Sequence, residues 1–153
     1  MTSDLEQAIH DISLRMRLLR SSQLSNSTVP QFTEREETIL FILSELGEMA
    51  VSQIANIVPR TSVSTISTTI TNLWKRKFVI KQISPTSQRV TLVSLTKKGL
   101  EVIDTLKQSE SERYRTLIRA LSVTEDEREM LIDIVNRAVG FFDKHLNTTV
   151  NTK

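Results

Sequence analysis

One change of hydrophobic rhythm constrains the fold of this chain more than any other feature. Up to Leu73 the apolar residues recur at helical spacing, with Ile66, Ile70 and Leu73 at i, i+4 and i+7 and Val63 near the start. Beyond the basic cluster Lys75-Arg76-Lys77 they form two runs rich in β-branched residues. Phe78 to Ile83 and Val90 to Leu95 flank the polar turn Ser84 to Arg89. The pattern predicts a helix that ends in cations and runs straight into a hairpin.

The polar side of that helix is unusual. Outside the apolar stripe lie Ser64, Thr65, Ser67, Thr68, Thr69, Thr71 and Asn72. Ser and Thr each cost roughly half a kcal/mol relative to Ala in a helix interior, so propensity alone disfavours the segment by a few kcal/mol. A row of short hydrogen-bonding side chains beside a positive hairpin suits contact with nucleic acid.

Charge is segregated in the same direction. From Met49 to Leu100 there is no Asp or Glu, while Arg60, Lys75, Arg76, Lys77, Lys81, Arg89, Lys97 and Lys98 all fall there. Eight of the 20 basic residues and none of the 18 acidic ones therefore share one stretch, and the remainder is acidic by six. The net charge of +2 conceals a positive lobe on an acidic body.

The flanks read as helices. From Ser3 to about Leu24 the stripe Leu5, Ile9, Ile12, Met16 and Leu19 predicts an amphipathic helix, and Ser25 to Gln31 a loop. Thr33 to Glu36 is a capping box for a helix reaching Leu46, core-facing through Ile39, Leu43 and Leu46 and closed by Gly47. Met49-Ala50-Val51 reads as a short extended piece, after which Ser52 is expected to cap a brief helix, Gln53 to Val58. Thr96 to Gly99 opens a long helix to about Leu121. A second capping box, Thr124 to Glu127, starts a last helix expected to bury Leu131, Ile134, Val135, Ala138 and Phe142. The terminal stripes, Leu5/Ile9/Ile12/Met16 and Leu131/Ile134/Val135/Phe142, would leave large apolar patches on a monomer unless they pack on each other within one chain, so a homodimer is expected. Met130 is expected to fill the core, and Asn147 to Lys153 to form a flexible tail.

The ordered set of motifs resembles the MarR (multiple-antibiotic-resistance regulator) family. It comprises T-x-x-E-x-x-I-L from Thr33, S-Q-I-A from Ser52, S-T-I-S from Ser64, and Q-R-V-T-L-V-S-L-T-K-K-G from Gln88 to Gly99. The resemblance implies a mainly α fold with a small β-wing: a winged helix-turn-helix lobe, 33–99, with dimerisation helices in 1–24 and 100–146. It implies a homodimeric DNA-binding transcriptional regulator on a pseudo-palindromic operator, often a repressor relieved by a small effector. Carried over by position, Ser64, Thr65, Thr68 and Thr69 lie nearest the bases and Arg89 reaches a minor groove. Arg60, Ser62, Asn72, Lys75, Arg76, Lys81, Ser87 and Gln88 complete the expected DNA-contacting set. An aromatic effector would meet Leu19, Phe32, Phe41 and Tyr114. Two departures stand out: Ser84 and Ser87 replace the usual acidic wing residues, and the recognition helix lacks a guanine-reading Arg or Lys. The residues alone leave open a winged-helix module that binds RNA, protein, or DNA without specificity.

Other chemistries have little support. The chain has no Cys, and His10 and His145 stand far apart without partners at metal-ligand spacing. Three dispersed glycines form no phosphate loop, and no Ser sits in a nucleophile-elbow setting. No signal peptide or membrane span is evident. A soluble cytoplasmic protein without metal, cofactor or enzymatic activity is expected.

Overall fold

The computed structural model describes residues 2–146; Met1 and the expected tail, 147–153, lie outside the described residues. In chain order the elements are α1 (Thr2–Ser25), α2 (Glu34–Leu46), β1 (Met49–Ala50), α3 (Val51–Ile57), α4 (Val63–Lys75), β2 (Val79–Ser84), β3 (Ser87–Leu95), α5 (Lys97–Leu121) and α6 (Glu125–Leu146). This is the mainly helical winged fold that the rhythm of the sequence predicts. Among the described residues the one sheet is antiparallel, in the order β1-β3-β2. Contacts divide the chain into two units, Met1–Pro30 with Asp104–Val123 and Gln31–Ile103 with Thr124–Lys153.

In the larger unit, α2 begins at the expected capping box. Thr33 Oγ1 accepts from the Glu36 N–H at 3.2 Å, and Glu36 Oε2 accepts from the Thr33 N–H at 2.9 Å. Gly47 closes the helix at φ 78°, a left-handed conformation that suits glycine. Ile39, Leu40, Ile54, Ile66, Ile70, Leu73, Phe78, Val93 and Ile103 form the core. Burying each large aliphatic side chain contributes about 1.5–3 kcal/mol, so the core, not helix propensity, holds the Thr-rich α4 in place.

Three local expectations are corrected. Ser52 does not cap α3; the helix starts at Val51 because Ala50, the last residue of β1, occupies the cap, its N–H satisfied by Gln53 Oε1 at 2.8 Å. Leu46 and Val63 are exposed, since each sits in a terminal turn that runs past the core. The wing turn is narrower than its sequence suggests: β3 begins at Ser87, leaving Pro85 and Thr86 as the turn. Ser84 Oγ accepts from the Thr86 N–H at 3.3 Å and tightens it. Arg89 consequently lies within a strand.

The start of α5 is welded to the end of α4. Thr96 N–H donates to the Phe78 carbonyl at 3.1 Å, Thr96 Oγ1 donates to the Lys77 carbonyl at 2.7 Å, and Lys98 Nζ donates to the Arg76 carbonyl at 3.1 Å. Gly99 allows this approach, because a β-carbon there would overlap the Phe78 carbonyl oxygen. No sequence signal distinguishes this glycine from an ordinary helix opener.

In the smaller unit, α1 and α5 are joined by a hydrogen bond from Arg113 to Gln23 Oε1 at 2.8 Å. The Tyr114 hydroxyl donates to Glu110, and this bond raises its pKa above the ordinary value, with partial burial adding to the effect. The α1 stripe stays largely uncovered, with Leu5, Ile9 and Ile12 exposed and Met16 half-buried. In the larger unit, α6 opens at Thr124 and Glu127 as expected, but it buries none of its described side chains. Leu131, Ile134, Val135, Ala138 and Phe142 are exposed, as is Met130. The expected burial on this helix is thus not met within one chain.

Candidate nucleic-acid interface

The recognition helix candidate is α4. Ser62 caps it, its Oγ accepting from the Thr65 N–H at 3.1 Å and lying 2.8 Å from Thr65 Oγ1. With Ile66, Ile70 and Leu73 wholly buried on one side, Ser64, Ser67, Thr68 and Asn72 are exposed on the other. Thr69 is not among them, contrary to expectation. It lies three residues after Ile66 and four before Leu73, a spacing that turns it inward to 8% exposure, with its hydroxyl donated to the Thr65 carbonyl at 2.9 Å.

Back-bonding also defines what the exposed hydroxyls can read. Thr68 Oγ1 donates to the Ser64 carbonyl at 3.0 Å. Its proton is committed and its lone pairs face outward, so in this rotamer it acts as an acceptor. Acceptors suit the exocyclic amino groups of adenine and cytosine in the major groove.

The other contacts expected around α4 fall into two groups. Lys75, Gln88 and Arg89 are exposed and Ser87 half-buried; Arg60 is exposed in the turn before α4, with φ 53°. Lys81 and Arg76 are engaged inside the lobe. Lys81 Nζ donates to Thr71 Oγ1 at 3.3 Å and lies 4.8 Å from the Trp74 ring centre, which ties strand β2 to α4. Sequence reasoning missed this brace, since it depends on how the strand crosses the helix. Arg76 is turned away from the polar face. Its guanidinium donates to the Gln31 carbonyl at 2.8 Å and to Glu36 Oε2 at 3.3 Å, so in the single chain this expected DNA contact is engaged within the lobe.

The expected effector residues are placed as follows within their own units. Phe32 meets Phe78 edge to face at 5.0 Å and carries the Arg76 guanidinium at 4.6 Å, a packing role. Leu19 and Phe41 are half-buried and Tyr114 is exposed. A shallow cavity of about 480 Å³ lies elsewhere in the larger unit, lined by Thr33, Glu34, Arg35, Thr38, Val58, Pro59 and Thr61. Among the described residues no cluster of His, Asp or Glu could hold a metal ion, and no helix is long and apolar enough to cross a membrane.

Comparison with known proteins fits this geometry. A family model described as MarR matches residues 32–91, from the entry to α2 through most of β3. The HTH-type transcriptional regulator MhqR of Bacillus subtilis strain 168 is 28% identical over 102 residues, covering 67% of this chain and 68% of that protein. Among solved structures, Streptococcus pneumoniae FabT in complex with DNA superposes with a TM-score of 0.81 at 16% identity, covering 94% of this chain and 99% of that one. The YusO protein of Bacillus subtilis gives 0.68 at 19% identity, covering 91% and 94%. At such identities the two structures establish the fold.

Proposed function

We propose that this chain, matched by the MarR family model over residues 32–91 and similar to the regulator MhqR, is a MarR-type transcriptional regulator and not an enzyme, acting as a homodimeric, sequence-specific DNA-binding repressor. The observation that carries this reading is the exposed face of α4, Ser64, Thr68 and Asn72, beside the exposed wing arginine Arg89 in a stretch without a carboxylate. The relative FabT was solved with DNA, which supports the same partner here. We assign the DNA-reading lobe to 33–99 and dimerisation to 1–24 with 100–146. The uncovered stripes on α1 and α6 support self-association, and a two-fold dimer would match a pseudo-palindromic operator. The cytoplasm is the compartment this reading implies.

Arg60, Lys75 and Arg89 supply the phosphate and minor-groove attraction, and the α4 hydroxyls with Asn72 supply the modest sequence reading. Gel shift with the DNA flanking the protein's own gene, competed by bulk DNA and by structured RNA, tests it. Preference for the flanking DNA is the expected result. Equal competition by RNA or bulk DNA would favour the non-specific winged-helix alternative. Log affinity should fall linearly with log salt, with a slope of about −0.9 per phosphate neutralised. A flat salt response would remove the phosphate-dominated mechanism.

Relief of repression by a small aromatic effector is part of the proposal, by likeness to the family. Thermal-shift measurements with phenolic and other aromatic acids should show a rise in melting temperature that grows with ligand concentration. No shift with any of them would remove the effector from the reading.

A further inference from the structure

We propose that Arg76 is a positioning residue: it makes no DNA contact and fixes the angle at which α4 presents Ser64, Thr68 and Asn72, thereby governing sequence discrimination rather than electrostatic affinity. The inference rests on the DNA-reading role proposed above.

Arg76 caps the C-terminal end of α4, its N–H donating to the Asn72 carbonyl at 3.2 Å. From there its side chain reaches back to the entrance of α2. One guanidinium nitrogen donates to the Gln31 carbonyl and another to Glu36 Oε2. The same Oε2 completes the Thr33 capping box, so one carboxylate holds the start of α2 and the end of α4. The guanidinium carbon lies 4.6 Å from the Phe32 ring centre and 5.1 Å from that of Phe78. Glu36 is 9% exposed and Arg76 34% in their side chains.

The four contacts are coupled by the planarity of the guanidinium. Rolling α4 about its axis would break the ion pair, the carbonyl bond and both ring contacts together. The base-facing residues sit on the same helix, within about three and a half turns of the clamp, so their angle to a groove follows Arg76. Phosphate binding, by contrast, would require the side chain to leave its slot and strand a buried carboxylate, which is strongly unfavourable. A lysine preserves the charge but not the fork.

The test measures affinities for the flanking DNA and for an unrelated duplex, over a range of salt, for the wild type and for Arg76→Gln, Arg76→Lys and Glu36→Gln. Circular dichroism and melting temperature identify the variants that fold. We expect the ratio of specific to non-specific affinity to fall roughly tenfold in all three, within the range that one mismatched base pair costs, with the salt slope unchanged. Arg76→Lys and Glu36→Gln carry the test if Arg76→Gln does not fold. A slope reduced by about 0.9 in Arg76→Gln, with both affinities falling alike and Arg76→Lys restoring them, would make Arg76 a phosphate ligand and overturn the proposal. Retained discrimination in Arg76→Lys and Glu36→Gln would overturn it equally. A wild type with no preference for the flanking DNA would instead overturn the operator reading on which the proposal stands.

Discussion

Replacing Gly99 by alanine is expected to destabilise the larger unit by about 3 kcal/mol, a large share of the 5–15 kcal/mol that typically holds a domain together. The new methyl group would meet backbone, not a flexible side-chain end, because the atom in its way is the Phe78 carbonyl oxygen. That carbonyl accepts the Thr96 N–H, and Leu95 Cδ2 closes the other side. Relief therefore requires the start of α5 to move off the end of α4, breaking the bonds of Thr96 and Lys98 to residues 76–78. Gly140 is the internal control. It is helical and has nothing within 4 Å of its β-position, so alanine there should gain about 0.5–1 kcal/mol. Urea midpoints of the two variants separate these outcomes, and equal stabilities would show that the close approach at Gly99 does not constrain the fold.

The second large effect is expected at Val135. It is central to the α6 stripe and 56% exposed in the single chain. If that face meets its symmetry mate, Val135→Asp places two carboxylates in an apolar contact. Light scattering should then give a mass near 17.4 kDa, the monomer, where the wild type gives twice that. Operator affinity should fall by at least about 100-fold, since two linked half-site readers gain about 10²–10⁴ over one. The fold of each chain should persist, because α6 buries none of its described residues. A variant that remains dimeric, or a monomer that binds the operator as tightly as the wild type, would remove the dimer from the proposed mechanism.

Much of the fold was legible in sequence because its signals are local. The capping boxes at Thr33 and Thr124, the Gly47 cap, the stripe of α4 and the two β-branched runs each depend on residues a few positions apart. Thr69 was legible in principle, since its spacing from Ile66 and Leu73 already turns it inward; the expectation followed the run of hydroxyls instead of the helical pitch. Arg76 was not legible. Its partners Glu36 and Gln31 lie 40 and 45 residues away, and in sequence it is one cation of a run of three. Gly99 is invisible for the same reason, as the carbonyl it accommodates belongs to Phe78. The burial expected of α6 is not met by any surface within the single chain.

The brace between Lys81 and Trp74 gives the protein an optical property. Trp74 is the only tryptophan in the sequence. It stands at the end of the proposed reading helix, 47% exposed, with an ammonium from the wing strand over its ring. Indole emission responds to nearby charge and to water, so the fluorescence of the whole protein reports on one spot where helix and wing meet. Unlabelled protein can therefore report on the surroundings of this joint.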